Sequence, residues 1–173
     1  MIIWRENKKL PQELIDRTKS SIQKNHNDKS EYFTTYSYSS FKDGEVDSSS
    51  VEYLLPFYSE TIKEMMIDLG MYDRCRYTYS LWVQMYNSNT TTHKVHEHYV
   101  HNEIISWVHF IETPRQRCFY FLDGRNKKIY PEQKSGDIIA WPPWLLHGVD
   151  PIKRKNFNRI ISAGNISLTS YDN

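Results

Sequence analysis

The sequence predicts an α+β domain in which helices come first and a set of short strands follows. Two observations lead to this prediction. Apolar residues recur at helical spacing in the first part of the chain, and short aromatic and β-branched runs follow Arg76. With 173 residues, 39% of them hydrophobic and 25% charged, the chain can bury a substantial core. We therefore expect one domain over residues 1–173, with a helical support region at 1–75 and a β core at 76–167.

Two helices are expected before the strands. Pro11 and the acidic residues after it are typical of a first helical turn, and the helical pattern fades near residues 24–28. A loop rich in Ser, Asp and Gly follows. The second helix is expected to begin at Ser50 as a cap, or nearer Pro56, and to end at Gly70.

The β core is expected to consist of short strands joined by tight turns. Turn residues such as Asp123-Gly124 and Gly136-Asp137 separate the apolar runs. Several short strands at this spacing are typical of a sandwich or a barrel. The expected strands are Tyr77–Tyr86, Ile104–Glu112, Cys118–Leu122, Ile138–Trp141 and Arg159–Ile166.

Composition argues against several classes of protein. The formal net charge of +1 gives no strong field for nucleic acid or an anionic membrane. No apolar run approaches the roughly 18 residues of a membrane span, and the N-terminal residues do not resemble a signal peptide. Cys75 and Cys118 stand in unrelated contexts, so we expect two reduced thiols and a cytoplasmic location. The abundance of Asn, Lys, Ile and Tyr is typical of an AT-rich genome and is compatible with a phage origin.

Histidines are concentrated in one short segment. Four of the seven lie between residues 93 and 101, and His147 follows an aromatic-proline stretch. Side chains two apart in a strand share a face, so His96 and His98 are expected to project together, with His93 and Glu97 on the opposite face. With His147 they would offer three imidazole donors, which suit Fe, Zn, Cu or Ni and leave coordination positions open. A pair of surface polar residues is the other reading of this spacing.

Two further histidines are expected to be outside any site. His26 lies in a polar stretch and is expected in a loop. His109 alternates with apolar neighbours in a predicted strand, so it is expected to face outward.

Three segments carry a resemblance to a known family. They are residues 95–98, residues 106–114, and residues 135–151 leading to Arg159–Ile166. Together they resemble the 2-oxoglutarate–Fe(II) oxygenases of bacteria and their phages, which are relatives of the prolyl hydroxylases. The resemblance covers roughly residues 80–167 and implies a double-stranded β-helix, a jelly-roll barrel of the cupin-like kind, braced by the N-terminal helices.

The resemblance implies a role for each matching residue. The iron ligands fall on His96, His98 and His147. Arg159 falls where the family binds the far carboxylate of 2-oxoglutarate, with Tyr86 and Phe110 at the positions that assist it. The implied activity is a dioxygenase, by analogy a hydroxylase, that uses Fe(II), 2-oxoglutarate and O2. An arginine suits the co-substrate because a buried carboxylate needs a cation with a planar, bidentate fork.

The sequence departs from the family pattern at several positions. The middle ligand is His98, where the usual triad has a carboxylate. His101-Asn102-Glu103 offers a formal His-x-Glu alternative. Phe110 lacks a hydroxyl donor, and Ile161 stands where prolyl hydroxylase relatives often have a serine. These departures leave open how the keto acid is held.

Two alternatives to the oxygenase therefore stay open. One is a cupin-like three-histidine metalloenzyme that does not use 2-oxoglutarate, and the other is a non-catalytic jelly-roll binding module. The primary substrate is not defined by the sequence: a peptidyl residue, a small molecule or a nucleotide would each fit the Tyr- and Asn-containing segment 86–92.

Overall fold

The computed structural model describes residues 1–25, 32–36, 49–90, 93–99, 102–153 and 155–171. Two antiparallel sheets and two helices make up the fold. The helices are α1 (Gln12–Asn25) and α2 (Leu55–Asp68). The strands are β1 (Trp4–Asn7), β2 (Tyr32–Thr34), β3 (Cys75–Tyr79), β4 (Trp82–Tyr86), β5 (His93–His96), β6 (Glu103–Glu112), β7 (Phe119–Leu122), β8 (Lys128–Ile129), β9 (Asp137–Trp141), β10 (His147–Val149) and β11 (Arg159–Tyr171).

The larger sheet has the order β1-β9-β6-β11-β4-β2, and β3 also pairs with β11. The smaller sheet has the order β5-β10-β7-β8. Apolar side chains from both sheets meet in one buried cluster, which includes Phe110 and Ile161 from the larger sheet and Phe119 and Phe121 from the smaller. The two sheets therefore face each other across an aromatic core, as in a jelly roll.

The expected strand Tyr77–Tyr86 is divided in two. β3 and β4 both pair with β11, and the chain breaks between them at Ser80, whose amide donates to the Asn165 carbonyl at 2.9 Å. Gly164 lies opposite this break. A Cβ there would meet the Ser80 carbonyl oxygen at 2.0 Å, so only glycine permits the close approach.

The helix α2 packs against β6 of the larger sheet. Tyr58 and Met65 are among the fully buried residues of this helix, and the Tyr58 ring lies 5.1 Å from that of Trp107. The prediction that His109 faces outward is wrong: it is fully buried, and its Nδ1 lies 2.8 Å from the Tyr58 hydroxyl. The middle of β6 is buried on both faces, so its polar residues Ser106 and His109 do not reach solvent.

The region expected to be helical support also supplies two strands. β1 pairs with β9 and β2 pairs with β4, so both lie in the larger sheet. Strands of three or four residues are too short to show a periodic pattern, which explains why the sequence did not reveal them. α2 begins with Pro56 in its first turn, after a 3-10 helix at Ser49–Leu54. His26 and most of the expected Ser- and Asp-rich loop lie outside the described residues.

Within the ranges given above, neither helix has the length and apolar character needed to cross a bilayer. Cys75 and Cys118 are buried and form no disulfide.

Candidate metal centre

The backbone register of the smaller sheet brings two histidines together. His147 on β10 pairs directly with His96 on β5, and their ring centroids lie 4.4 Å apart. His98 follows the end of β5, and its amide donates to the Pro143 carbonyl at 2.9 Å. One donor atom from each of the three histidines lies within 4.8 Å of the others, a spacing that can hold a metal ion.

Two of the three imidazoles have a fixed tautomer. His96 Nδ1 lies 2.8 Å from the Lys94 carbonyl oxygen, and His147 Nδ1 lies 3.0 Å from that of Leu145. A carbonyl only accepts, so Nδ1 carries the proton in both rings and the lone pair is left on Nε2. This outer hydrogen bond is the usual device that orients a metal-binding histidine.

The third imidazole is held by stacking. The His98 ring lies parallel to that of Trp82, with 5.8 Å between centroids and 8° between planes. Burial, with a smaller contribution from His96, lowers the pKa of His98 to about 3, although the Asn165 side chain opposes the shift.

Burial keeps all three rings neutral. It lowers the pKa of His96 below the ordinary value, and burial together with the neighbouring His96 and His98 lowers that of His147 well below it. A metal ion binds the deprotonated imidazole, so these rings need to release no proton at neutral pH.

A fourth histidine joins the cluster, contrary to prediction. On β10, Val149 lies two residues after His147. Their partners on β5, His93 and His96, are three residues apart, so β5 has one extra residue there. The extra residue is a β-bulge, and it returns His93 to the same face as His96, with ring centroids 4.7 Å apart. The prediction placed His93 on the other face because it assumed a regular strand. The alternation of side chains does not reveal where a bulge occurs.

His93 is tied to the tyrosine expected near the co-substrate. The Tyr86 hydroxyl donates to Gln84 Oε1 at 2.6 Å and lies 2.7 Å from His93 Nδ1. A hydroxyl has one proton, so His93 Nδ1–H is the donor to Tyr86. Burial, then the nearby His96 and Arg159, lower the pKa of His93 to about 4.

The alternative carboxylates do not join the three histidines. Glu97 was expected on the opposite face and instead lines the same cavity, because β5 ends at His96 and strand alternation no longer applies. Its carboxylate is still not among the clustered donor atoms. Glu103 pairs with Ser167 at the start of β6 and is also absent from that cluster, and its proposed partner His101 lies outside the described residues.

Arg159 is a buried cation that has no counter-ion within the described ranges. It pairs with Tyr86 across β11 and β4, and its Cζ lies 5.1 Å from the Tyr86 ring centroid and 5.4 Å from that of Phe110. Its side chain is fully buried, and none of its three guanidinium nitrogens has a hydrogen-bond partner among the described residues. Burial lowers the pKa of Arg159 below its ordinary value. Such a group calls for an anionic ligand, because an unpaired buried charge is costly.

A cavity of about 280 Å³ lies between the two sheets. Its walls are mainly aromatic, and Trp107 and Trp141 add buried indole N–H groups that have no acceptor among the described residues. Arg159 and Phe110 do not line it, whereas Tyr86, whose ring lies beside the Arg159 guanidinium, does. The lining residues are Tyr36, Trp82, Gln84, Tyr86, His93, His96, Glu97, His98, Trp107, Val108, Phe119, Trp141, His147, Val149, Ile161, Ala163 and Asn165.

Comparison with known proteins gives a fold and no sequence relative. No family model and no curated protein matches the sequence. A prolyl-4-hydroxylase from Pseudomonas putida superposes with a TM-score of 0.60 at 12% identity, over 95% of this chain and 91% of that one. The non-heme alpha-ketoglutarate-dependent carbocyclase SnoK from nogalamycin biosynthesis gives 0.64 at 11% identity, over 92% and 76%. The viral collagen prolyl hydroxylase of Paramecium Bursaria Chlorella virus-1 gives 0.59 at 15% identity, over 95% and 89%.

These likenesses confirm the expected class of fold. The chain has the jelly-roll architecture of the 2-oxoglutarate–Fe(II) oxygenases, and its structural neighbours include prolyl hydroxylases. At such low identity they carry no residue roles to this chain. The roles of its histidines and of Arg159 must be argued from its own geometry.

Proposed function

We propose that the protein is an oxygenase that depends on Fe(II), 2-oxoglutarate and O2. The observation that carries this proposal is the unpaired guanidinium of Arg159, buried behind the wall of a cavity that also contains three clustered histidines. A metal site alone has no need of a buried arginine. A dicarboxylate that chelates the metal at one end and reaches the arginine at the other needs both.

The donor set suits the metal proposed. His96 and His147 present Nε2 lone pairs, and His98 supplies a third neutral imidazole. Three protein ligands leave room for two oxygens of the keto acid and for O2. When bound, iron and 2-oxoglutarate would supply the oxidising chemistry that protein side chains lack.

The chain's own contribution is to orient the co-substrate and to exclude water. Arg159 would bind the far carboxylate from behind the Tyr86 ring. The Tyr86 hydroxyl already donates to Gln84, so it assists only if that hydrogen bond is exchanged for one to the carboxylate. Phe110 has no hydroxyl, and it would contribute an apolar surface beside the guanidinium. The aromatic walls would keep the reacting groups away from bulk solvent.

His98 supports one alternative, a three-histidine metalloenzyme that does not use 2-oxoglutarate. Three neutral ligands leave the metal one unit more positive than two histidines and a carboxylate would. That alternative leaves the burial of Arg159 without an explanation, so we place it second. Under the first proposal a hydroxylation is the expected reaction, by analogy with the prolyl hydroxylases among the structural neighbours.

Anaerobic titration of the Fe(II)-loaded protein with 2-oxoglutarate tests the proposal. We expect the visible absorption band of a keto acid chelated to iron, with saturable binding. Arg159→Met should abolish saturation while Fe(II) binding is unchanged, and Arg125→Met, at an exposed turn, should behave as wild type. Iron binding with no band would support the three-histidine alternative, and an unchanged titration in Arg159→Met would contradict the role of that arginine.

A further inference from the structure

The cavity has one acidic residue in its lining, Glu97. The lining residues beside it in sequence are the two histidines His96 and His98. The carboxylate therefore sits at the side of the cavity where the metal would bind, whereas Arg159 is buried behind Tyr86. The site therefore combines an anionic residue in the cavity lining with a buried cation that lies beside the Tyr86 ring.

Glu97 is exposed at the side of the cavity that it lines, and it has no hydrogen bond or ion pair with any residue that the structure describes. Some other acidic residues of the chain do have partners. Glu64 pairs with Lys8, and Asp150 pairs with Lys128 at 2.6 Å. The Glu97 carboxylate is thus available to a ligand that enters the cavity.

Aromatic residues line the same cavity as Glu97. Tyr36 and Trp82 meet edge to face at 4.8 Å between centroids, and the Trp82 ring stacks on that of His98. Phe119 and Trp141 line the same cavity. The faces of such rings attract cations, most strongly where water is excluded, and aromatic cages are a recurrent way to bind ammonium groups.

We propose that this part of the cavity binds a cationic nitrogen group of the substrate, an ammonium or a guanidinium. Glu97 would supply the opposite charge, and Tyr36 and Trp82 would supply ring faces. The charges of Glu97 and Arg159 would also orient the keto acid in the site. Its carboxylates would be attracted by Arg159 and repelled by Glu97. Its description as a substrate site rests on the proposed oxygenase function, while the cation site itself can be tested alone.

Glu97 is not proposed as a metal ligand. Its oxygens are not among the donor atoms that cluster within 4.8 Å, which come from His96, His98 and His147. Because Glu97 would not be bound to the metal, its carboxylate could bind the cationic group of the substrate.

Calorimetric titration with matched probes tests the cation site. The probes are the capped amino acids N-acetyl-lysine methylamide and N-acetyl-arginine methylamide, with the norleucine compound as the neutral counterpart of lysine. With the anaerobic Fe(II) form of the full chain, titrated both with and without 2-oxoglutarate, we expect the cationic probes to bind about tenfold more tightly or better than norleucine. Equal binding of lysine and norleucine would overturn the proposal.

Variants of Glu97 assign the preference to this carboxylate. Glu97→Gln should remove the preference for lysine, Glu97→Asp should retain part of it, and Glu60→Gln on an exposed face of α2 should leave it intact. A preference that survives in Glu97→Gln would overturn the assignment, as would a loss of Fe(II) affinity in that variant. Failure of the keto-acid titration with the lysine preference intact would reject the oxygenase and keep the cation site.

The same titrations distinguish two sources of the cation. Glycine-flanked peptides with a central lysine or norleucine would be compared with the capped amino acids. Tighter binding of the lysine peptide than of capped lysine would indicate a polypeptide substrate. Equal binding would indicate a small amine, and both results support a cationic group.

Discussion

His96 and His147 are cross-strand partners in the smaller sheet, and their imidazole centroids lie 4.4 Å apart. The backbone ladder, and not a flexible loop, sets the distance between these two rings. The pair therefore exists before any ligand arrives, and binding a metal there requires little reorganisation.

Metal binding should stabilise the native protein through this pair. A ligand that binds only the folded state adds about 2.7 kcal/mol to the free energy of unfolding at 100 times its Kd. We expect Co(II) to raise the Tm of the wild type measured by circular dichroism, and we expect His147→Ala to abolish the rise. His109→Gln should keep the metal response, since His109 lies on the other side of the larger sheet. A metal-dependent rise in His147→Ala would place the metal elsewhere.

Replacement of Arg159 should make the ligand-free protein more stable. Its guanidinium is fully buried, and its nitrogens have no partner in the described part of the chain. Replacing a buried ion pair by apolar side chains of similar volume often gains about 1–4 kcal/mol, and an unpaired charge gives up no ion pair when it is replaced. Urea unfolding of Arg159→Met without keto acid should show this gain together with the loss of keto-acid binding. A loss of stability would mean that the arginine is paired in the native protein.

Acid should destabilise the protein in part through His109. Burial lowers the pKa of His109 to about 4, although the Lys8 backbone and Asp137 oppose the shift. Its ordinary value is 6.5, so between pH 6.5 and 4 the unfolded chain binds a proton that the native state does not, and stability falls as the pH falls. The full effect is about 3 kcal/mol.

The measurement compares urea unfolding of the metal-free wild type and His109→Gln from pH 7 to pH 4.5. The variant should lose less stability over this interval, because glutamine does not titrate. Parallel curves for the two proteins would show that His109 does not contribute.

Gly164 should tolerate no side chain. A Cβ would lie 2.0 Å from the Ser80 carbonyl oxygen and 2.7 Å from the Trp107 ring, so Gly164→Ala must displace backbone. Overpacking of this kind typically costs about 1–3 kcal/mol, and a clash with backbone belongs at the upper end. Gly124→Ala is the matched control, because nothing lies within 4 Å of a Cβ there. Similar urea midpoints for the two variants would contradict the packing described.

Sequence alone was enough to predict which three histidines the fold brings together, while their role as metal ligands stays a prediction. His96, His98 and His147 cluster as expected, and Arg159 pairs with Tyr86. The resemblance to the family located them, because it relates His96 and His98 to residues far away in the chain. Spacing within one strand can relate only close neighbours.

The departures from prediction arise from local geometry. His93 enters the site through a β-bulge, and Glu97 lines the cavity because the strand has already ended. His109 is buried because α2 covers a face that alternation assigned to solvent. Bulges, strand ends and a second covering layer depend on tertiary contacts, and a period-two pattern does not encode them.

The position of β11 in the larger sheet has a consequence for synthesis. This strand pairs with β3, β4 and β6, all of which precede it in the chain, and it carries Arg159. During translation those three strands emerge from the ribosome before their common partner does. Their edges that pair with β11 remain unpaired until β11 is synthesised. Pairing over such long distances in sequence gives a high contact order and slow folding, and the unpaired edges can associate with those of other nascent chains.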